Sequence, residues 1–558
     1  MLPLLLISIA IAPCSVLGLW PIPRNLQTGT TLVKLPSTFD IKVDVNNPPQ
    51  DLLDAVGRTK SYLQTDKLQR LAVGRGANDS AALGTAPTLP SLCISLLNSA
   101  PPRPIAVEAV LPIGTRSEGY SLTVPSDGSS AVLTASSTLG LFRGLTTFGQ
   151  LWYDNSGTTY TYQAPVKIVN DSPAFPYRGF MLDTARNFFP VSDIKRTLDA
   201  MSWVKLNTFH WHVVDSQSFP LDIPAFPELA SKGAYSSSEI YSAANVKDIV
   251  SYAGARGIDV LMEIDTPGHT TAIAASHPEH IACNQASPWS SFANEPPAGQ
   301  LRLASAATAS FTAQLISSIA QTLPSTLFST GGDELNINCY VRDPQTQADL
   351  SKSGRTLEQA LNTFTQSTHK ALTDLGKTPV VWEEMVLEHA VTLPQNTVVM
   401  VWISSQHAAA VTAKNFRIVH GPSDYFYLDC GTGESIGSDP FANSWCDPFK
   451  TWQKAYTFDP LANLSTAQQS LVLGGQQLLW TEQSSPENLD SIVWPRAATS
   501  AEVFWTGATL PDGTARNVDA ALPRLHDIRY RMVRRGVRAI ALQPHFCALR
   551  PGVCDLHA

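Results

Sequence analysis

Two adjacent carboxylates, Asp333 and Glu334, stand directly after the glycine pair Gly331-Gly332. Successive side chains leaving a strand end point in different directions, so two such acids meet different surroundings. One held against apolar walls keeps its proton near neutral pH, as a general acid must, while its neighbour stays ionised. A glycine turn with both acids in water fits the same four residues. The tryptophans tip the balance. Trp382, Trp402 and Trp480 each close a separate apolar run. Indoles among polar loops are costly unless they wall a pocket or plug one end of the fold, and a sugar ring or an acetamide methyl suits such a pocket. Carboxylates, an arginine and aromatic walls together point to a neutral polyhydroxy substrate, a carbohydrate.

His210-Trp211-His212 sets two imidazoles on one face of a strand, and with His269 and Asp333 they offer the ligands of a metal-dependent hydrolase. Such sites draw further ligands from middle strands, where this chain supplies Trp382 and Trp402. The preferred reading pairs His269 with Asp215, a dyad that tunes a neighbouring acid, and assigns neither metal nor cofactor.

The elements that carry these residues follow from periodicity. Apolar runs at 179–183, 207–214, 258–264, 326–331, 379–382, 398–403, 416–419 and 477–480 alternate with helical patterns at 194–204, 246–256, 308–323, 357–375 and 405–414. Eight such runs predict a (β/α)8 barrel, and no Gly-rich phosphate motif favours an open doubly wound sheet. Long connections at 215–244, 265–304, 334–356 and 420–465 belong on the C-terminal face, where barrels build active sites. Residues 19–170 mix short β-like runs (39–45, 120–124, 131–135) with helical patterns, one of them near 141–152. Asp171-Ser172-Pro173-Ala174-Phe175-Pro176 breaks regular structure. The expected organisation is a signal segment (1–18), a smaller α+β domain (19–170) and the barrel with a C-terminal extension (171–558).

At these residues a resemblance becomes specific. Arg178-Gly179-Phe180-Met181-Leu182-Asp183-Thr184-Ala185-Arg186, the run from His210 to Pro220, Asp265-Thr266-Pro267-Gly268-His269, Gly332-Asp333-Glu334 and Trp480-Thr481-Glu482 resemble the β-N-acetylhexosaminidases of glycoside hydrolase family 20. Gly119-Tyr120-Ser121-Leu122 and the segment Leu141 to Phe148 extend the likeness into a zincin-like front domain. The resemblance implies a retaining exo-hydrolase that releases terminal β-linked N-acetylglucosamine, and N-acetylgalactosamine as well, with the substrate's own acetamide as nucleophile. It makes Glu334 the general acid, Asp333 the partner of the acetamide N–H, Tyr427 the donor to its oxygen, and Asp215 with His269 the supporting dyad. Trp382, Trp402 and Trp480 box the sugar; Arg178, Asp429 and Glu482 hold its hydroxyls. Two departures stand out: Asn187 where many relatives have His, and Thr481 where animal members have Gly. Homodimers are common in the family, though no interface is legible in this sequence.

Composition narrows the setting. Among 558 residues, 39 Lys+Arg oppose 47 Asp+Glu, a net charge of −8, and charged residues reach only 15%. That balance disfavours nucleic acid or an anionic membrane surface as partner. Met1 to Gly18 reads as a secretory signal, and no later apolar run is long enough to span a bilayer. The expected location is extracellular or cell-wall, or a vacuolar or lysosomal lumen. After signal removal seven cysteines remain, and none forms a C-x-x-C zinc pattern. The short spacings suggest Cys430–Cys446 and Cys547–Cys554; Cys283 then pairs with Cys339 and Cys93 stays free. Sequons at Asn78, Asn170 and Asn463 predict glycosylation of the surface.

Overall fold

A computed structural model of the chain describes residues 18–98 and 100–556. All but the last residue of the expected signal lies outside them.

Seven strands form the front sheet: β1 (Leu26–Lys34), β2 (Asp40–Asp44), β3 (Ser91–Leu96), β4 (Tyr120–Val124), β5 (Ala131–Ala135), β6 (Tyr153–Asn155) and β7 (Thr158–Asp171). The order is β1-β7-β4-β5-β3-β2, with β6 paired to β7. Helices Gln50–Thr65 and Thr138–Gln150 pack together, and apolar faces from both contribute to a core with the sheet. Sequence patterning does not single out β7, a 14-residue strand buried on both faces over residues 160–164 and alternating only from there to 168.

The chain then enters a closed parallel barrel of β8 (Tyr177–Asp183), β9 (Thr208–Val214), β10 (Asp259–Ile264), β13 (Leu327–Ser329), β14 (Thr378–Trp382), β15 (Val398–Val401), β16 (Arg417–His420) and β17 (Val472–Leu479). The two short strands β11 (Ile281–Ala282) and β12 (Gln300–Leu301) form a ribbon inside the long connection after β10. Barrel strands are covered by helices outside and by side chains inside, so every residue of β8, β9, β10 and β17 is buried. Where β17 closes on β8, a Cβ on Gly474 would lie 1.9 Å from the Tyr177 carbonyl oxygen. Gly474, Gly475, Gln476 and Gln477 interrupt the apolar pattern, so the strand starts at Val472, five residues before the run 477–480 marks it. Helix Arg496–Thr506 is buried along its whole length against β8 and β17. Helices begin on local signals, including Ser242/Asn245 and Thr356/Gln359 capping boxes.

The front domain seals the N-terminal end of the barrel. Glu118 sits between Arg143 (2.8 Å) and Arg178 (2.5 Å), and Asn207 Nδ2 donates to its other oxygen at 3.1 Å. Arg143 also donates to the Gly257 carbonyl at 2.7 Å, and Arg116 pairs with Asp259 at 2.7 Å. Three disulfides join Cys283–Cys339, Cys430–Cys446 and Cys547–Cys554, with Cys93 free. Asn78, Asn170 and Asn463 are exposed. No helix among the described residues is long and apolar enough to cross a membrane.

Candidate active site

The turn that carries the adjacent acids requires its glycines. Gly331 and Gly332 have φ of 63° and 98°, and a Cβ would lie 1.9 Å from Asp265 Oδ1 at the first and 2.5 Å from Met385 Cγ at the second. Gly332 N donates to Asp265 Oδ1 at 2.9 Å. Glu334 (φ 54°) and His269 (φ 53°) also hold left-handed backbone, a strained state for side-chain-bearing residues that persists where the surroundings fix it.

His269 links the groups behind this turn. Its Nδ1 is 3.1 Å from Asp215 Oδ1, while Nε2 is 3.4 Å from Glu334 and 3.8 Å from Asp333. Burial alone would lower this imidazole; the charge of and hydrogen bond with Asp215, then Glu334, raise it well above its ordinary value. These partners favour its protonated form. Burial pushes Glu334 up, but its hydrogen bond with His269 and the ring's charge outweigh that and hold it low. Asp333 is raised far above the usual carboxylate range by burial and by Asp265 beside it; burial lifts Asp265 to about 7 despite His269. Asp333 Oδ1 is buried without a hydrogen-bond partner.

The polar contacts continue down the barrel. Asp215 Oδ2 meets His212 Nε2 at 2.7 Å; His212 Nδ1 meets Glu263 at 2.6 Å; Glu263 meets His210 Nε2 at 3.1 Å. His210 Nδ1 lies 3.0 Å from Gln476, which accepts from the Tyr177 hydroxyl at 2.6 Å. Both ring nitrogens of His210 and His212 are thus engaged within this line of contacts. Hydrogen bonds with Asp215 and Glu263 overcome burial and raise His212 to about 10.

These groups open onto a cavity of about 580 Å³ lined by Asp333, Glu334, His269, Tyr427, Asp429, Glu482 and the three tryptophans expected from sequence. Asp215 stands behind His269 instead of lining it. Trp402 stacks on Tyr427 (6.2 Å, 13°), Trp480 is tilted against Trp382 (6.1 Å, 45°), and Trp402 Nε1 donates to Glu384 at 2.8 Å. Burial and the nearby Asp333 lift Glu384 to about 9, and burial lifts Asp429 to about 7.

Arg178 requires a correction. It occupies the second residue of β8, at the N-terminal end of the barrel, and its fully buried guanidinium binds Glu118 and the carbonyls of Lys205 and Phe175. It does not reach the pocket. The guanidinium in the cavity is Arg186, just beyond the C-terminal end of β8. Arg186 pairs with Asp215 (2.9 Å), Asp183 (3.4 Å) and Glu295, and its guanidinium lies 4.9 Å from the Trp480 ring centre. The rule that chemistry sits at C-terminal strand ends would have selected it. Trp289, Asn294, Glu295 and Trp445 also line the cavity from long loops, where no periodic pattern marks them. The two departures from the family pattern touch each other: Asn187 Nδ2 donates to the Thr481 carbonyl at 2.6 Å, and the Thr481 hydroxyl donates to Asp183 at 2.9 Å.

Comparison with known proteins agrees with this architecture. Residues 175–508 match the model described as glycosyl hydrolase family 20, catalytic domain, and residues 19–151 match beta-acetyl hexosaminidase like. The chain is 38% identical to a beta-hexosaminidase of Arthroderma benhamiae over 458 residues, 79% of this chain and 74% of that one. It is 32% identical to a chitooligosaccharidolytic beta-N-acetylglucosaminidase of Bombyx mori over 96% of this chain and 89% of the other. The solved chitobiase of Flavobacterium johnsoniae superposes with a TM-score of 0.73 at 25% identity, over 93% of this chain and 73% of its own.

Proposed function

We propose, from the premise that this chain belongs to glycoside hydrolase family 20, that its cavity removes terminal β-linked N-acetylglucosamine from oligosaccharides or glycoconjugates with the substrate's acetamide as nucleophile. The observation that carries this is the Asp333–Glu334 pair on one strained turn, one acid backed by His269 and the other by Asp265, beneath an indole-walled pocket.

The acetamide N–H donates to the Asp333 carboxylate at the cavity wall, which aims the acetamide oxygen at the anomeric carbon. Tyr427, kept a phenol by burial, donates to that oxygen from the opposite wall. As the C–O bond to the leaving group breaks, Glu334 supplies a proton to the departing oxygen. His269 stands 3.4 Å behind Glu334, placed to share that proton with it. The ring's positive charge then spreads over an oxazolinium. That charge favours an ionised Asp333, with Asp265 as the acceptor of its proton. Water activated by Glu334 opens the oxazolinium and restores the β configuration. Arg186, Asp429 and Glu482 face the hydroxyls of the terminal sugar at the closed end, which limits cleavage to chain ends. The relatives' printed names and the exposed sequons support chitooligosaccharide or glycan substrates and a secreted, glycosylated chain.

Hydrolysis of chitobiose in the presence of a thiazoline mimic of the intermediate tests this reading. We expect competitive inhibition, and a kcat loss of about 10²-fold or more for both Glu334→Gln and Asp333→Asn. Near-normal turnover of chitobiose by Asp333→Asn, or indifference to the thiazoline, would overturn it.

A further inference from the structure

The long connection after β10 carries a second group of ligating side chains, none of which lines the cavity. His277, Glu279 and His280 lie on and beside the single turn Pro278–His280, and Glu228 reaches it from helix Pro227–Gly233. One nitrogen or oxygen from each of His277, Glu279 and His280 lies within 4.8 Å of the others. Glu279 Oε1 is 3.3 Å from His277 Nδ1 and 3.9 Å from His280 Nε2. Four ligands around a tetrahedral ion with bonds of about 2.0–2.1 Å stand roughly 3.3 Å apart. One separation is already of that size, the second is 3.9 Å, and the third, between the two imidazoles, lies within the 4.8 Å that spans the group.

The nitrogens that face away from this centre are also provided for. His277 Nε2 meets Glu228 at 2.9 Å, and His280 Nδ1 meets the Thr308 hydroxyl at 3.0 Å. Metal-bound imidazoles are held this way, with the far nitrogen on a carboxylate or another oxygen that fixes tautomer and orientation. His277 thus stands between two carboxylates, with Nε2 toward Glu228 and Nδ1 toward Glu279. His280 is stacked on Phe311 (4.3 Å, 25°), which holds its ring in place, while Glu279 is 62% exposed and leaves a path from solvent.

We propose that His277 Nδ1, Glu279 and His280 Nε2 form a Zn2+ site with one position open to water, oriented by Glu228 and Thr308. Two imidazoles and a carboxylate suit zinc better than calcium or magnesium, which prefer all-oxygen shells. The turn leads through β11 to Cys283, and the same connection supplies Trp289, Asn294 and Glu295 to the cavity rim. A metal there would brace the base of that connection without touching the reacting atoms.

The full chain, dialysed against EDTA and freed of chelator, should be titrated with ZnCl2 by calorimetry and with CoCl2 by visible absorption. We expect about one zinc per chain, and a rise in Tm at a 100-fold excess over Kd. Affinity should fall at least tenfold in both Glu279→Gln and His277→Ala, together with the cobalt spectrum. Glu279 is exposed enough that its variant tests the ligand and not the fold. Absence of uptake by the wild-type chain would overturn the proposal. So would uptake of equal affinity in Glu279→Gln and His277→Ala, which would locate the ion among the carboxylates around His269 instead.

Discussion

At the scale of single residues, two arginines eight positions apart separate stability from catalysis. Arg178 holds the barrel floor to Glu118, and Arg186 faces the cavity between Asp215, Asp183 and Glu295. Lysine keeps the charge but loses the planar fork that serves several oxygens at once. Arg186→Lys should lower kcat/KM about 10- to 100-fold, the weight of one or two charge-assisted hydrogen bonds, with little change in Tm. Arg178→Lys should lower Tm and leave the KM of the folded fraction alone. Steady-state kinetics and thermal melts on the same preparations check both, and an unchanged kcat/KM in Arg186→Lys would refute the assignment. The motif from Arg178 to Arg186 is legible in the sequence, but which arginine serves the pocket depends on strand direction. The sequence carries that direction, and Arg186 follows the C-terminal end of the run 179–183, whereas Arg178 precedes it.

At the scale of elements, the eight barrel strands are legible as apolar runs, most of them separated by amphipathic helices. β13 is shorter than its run, since Gly331 and Gly332 leave the strand for positive φ. The Asp-Glu turn, the tryptophans at strand ends and the His-x-His strand can be read for the same reason: they lie at fixed offsets from regular elements. Glu295, Asn294 and Trp445 lie in connections whose paths are set by disulfides and tertiary contacts, and so they cannot be read locally. The junction between front sheet and barrel is likewise a tertiary product. There, burial opposes the charge on Glu118, but Arg178 and Arg143 hold its carboxyl at about 2, while burial brings Arg178 down to about 10. Burial opposes every charge in the cluster, so its value lies in being complete. Glu118→Gln strands two buried guanidiniums and should cost about 3–5 kcal/mol. A folded-state value below the ordinary 4.5 means that Glu118 supports folding above about pH 4.5 and loses that support as pH falls toward 2. Acid unfolding followed by circular dichroism should therefore be shallower across that window in Glu118→Gln; superimposable acid curves would contradict the role given to the cluster.

At the scale of the whole molecule, the parts divide their work along the barrel axis. The front domain closes the floor, the walls bury apolar side chains, and long loops tied by Cys283–Cys339 and Cys430–Cys446 build the rim. Between floor and rim runs the line of contacts from Tyr177 through Gln476, His210, Glu263, His212 and Asp215 to His269 and Glu334. Groups in such contact do not bind protons independently. The limbs of the pH–rate profile then belong to the assembly and not to any one member. Glu263 touches no substrate, yet its charge helps retain protons on His212 and, through Asp215, on His269. Glu263→Gln should move the alkaline limb of kcat/KM to lower pH with KM at the optimum preserved, and coincident profiles would show that the line is not coupled. The polar side chains packed down the barrel thus connect its floor to its mouth, and a substitution deep in the fold is expected to be felt where the substrate sits.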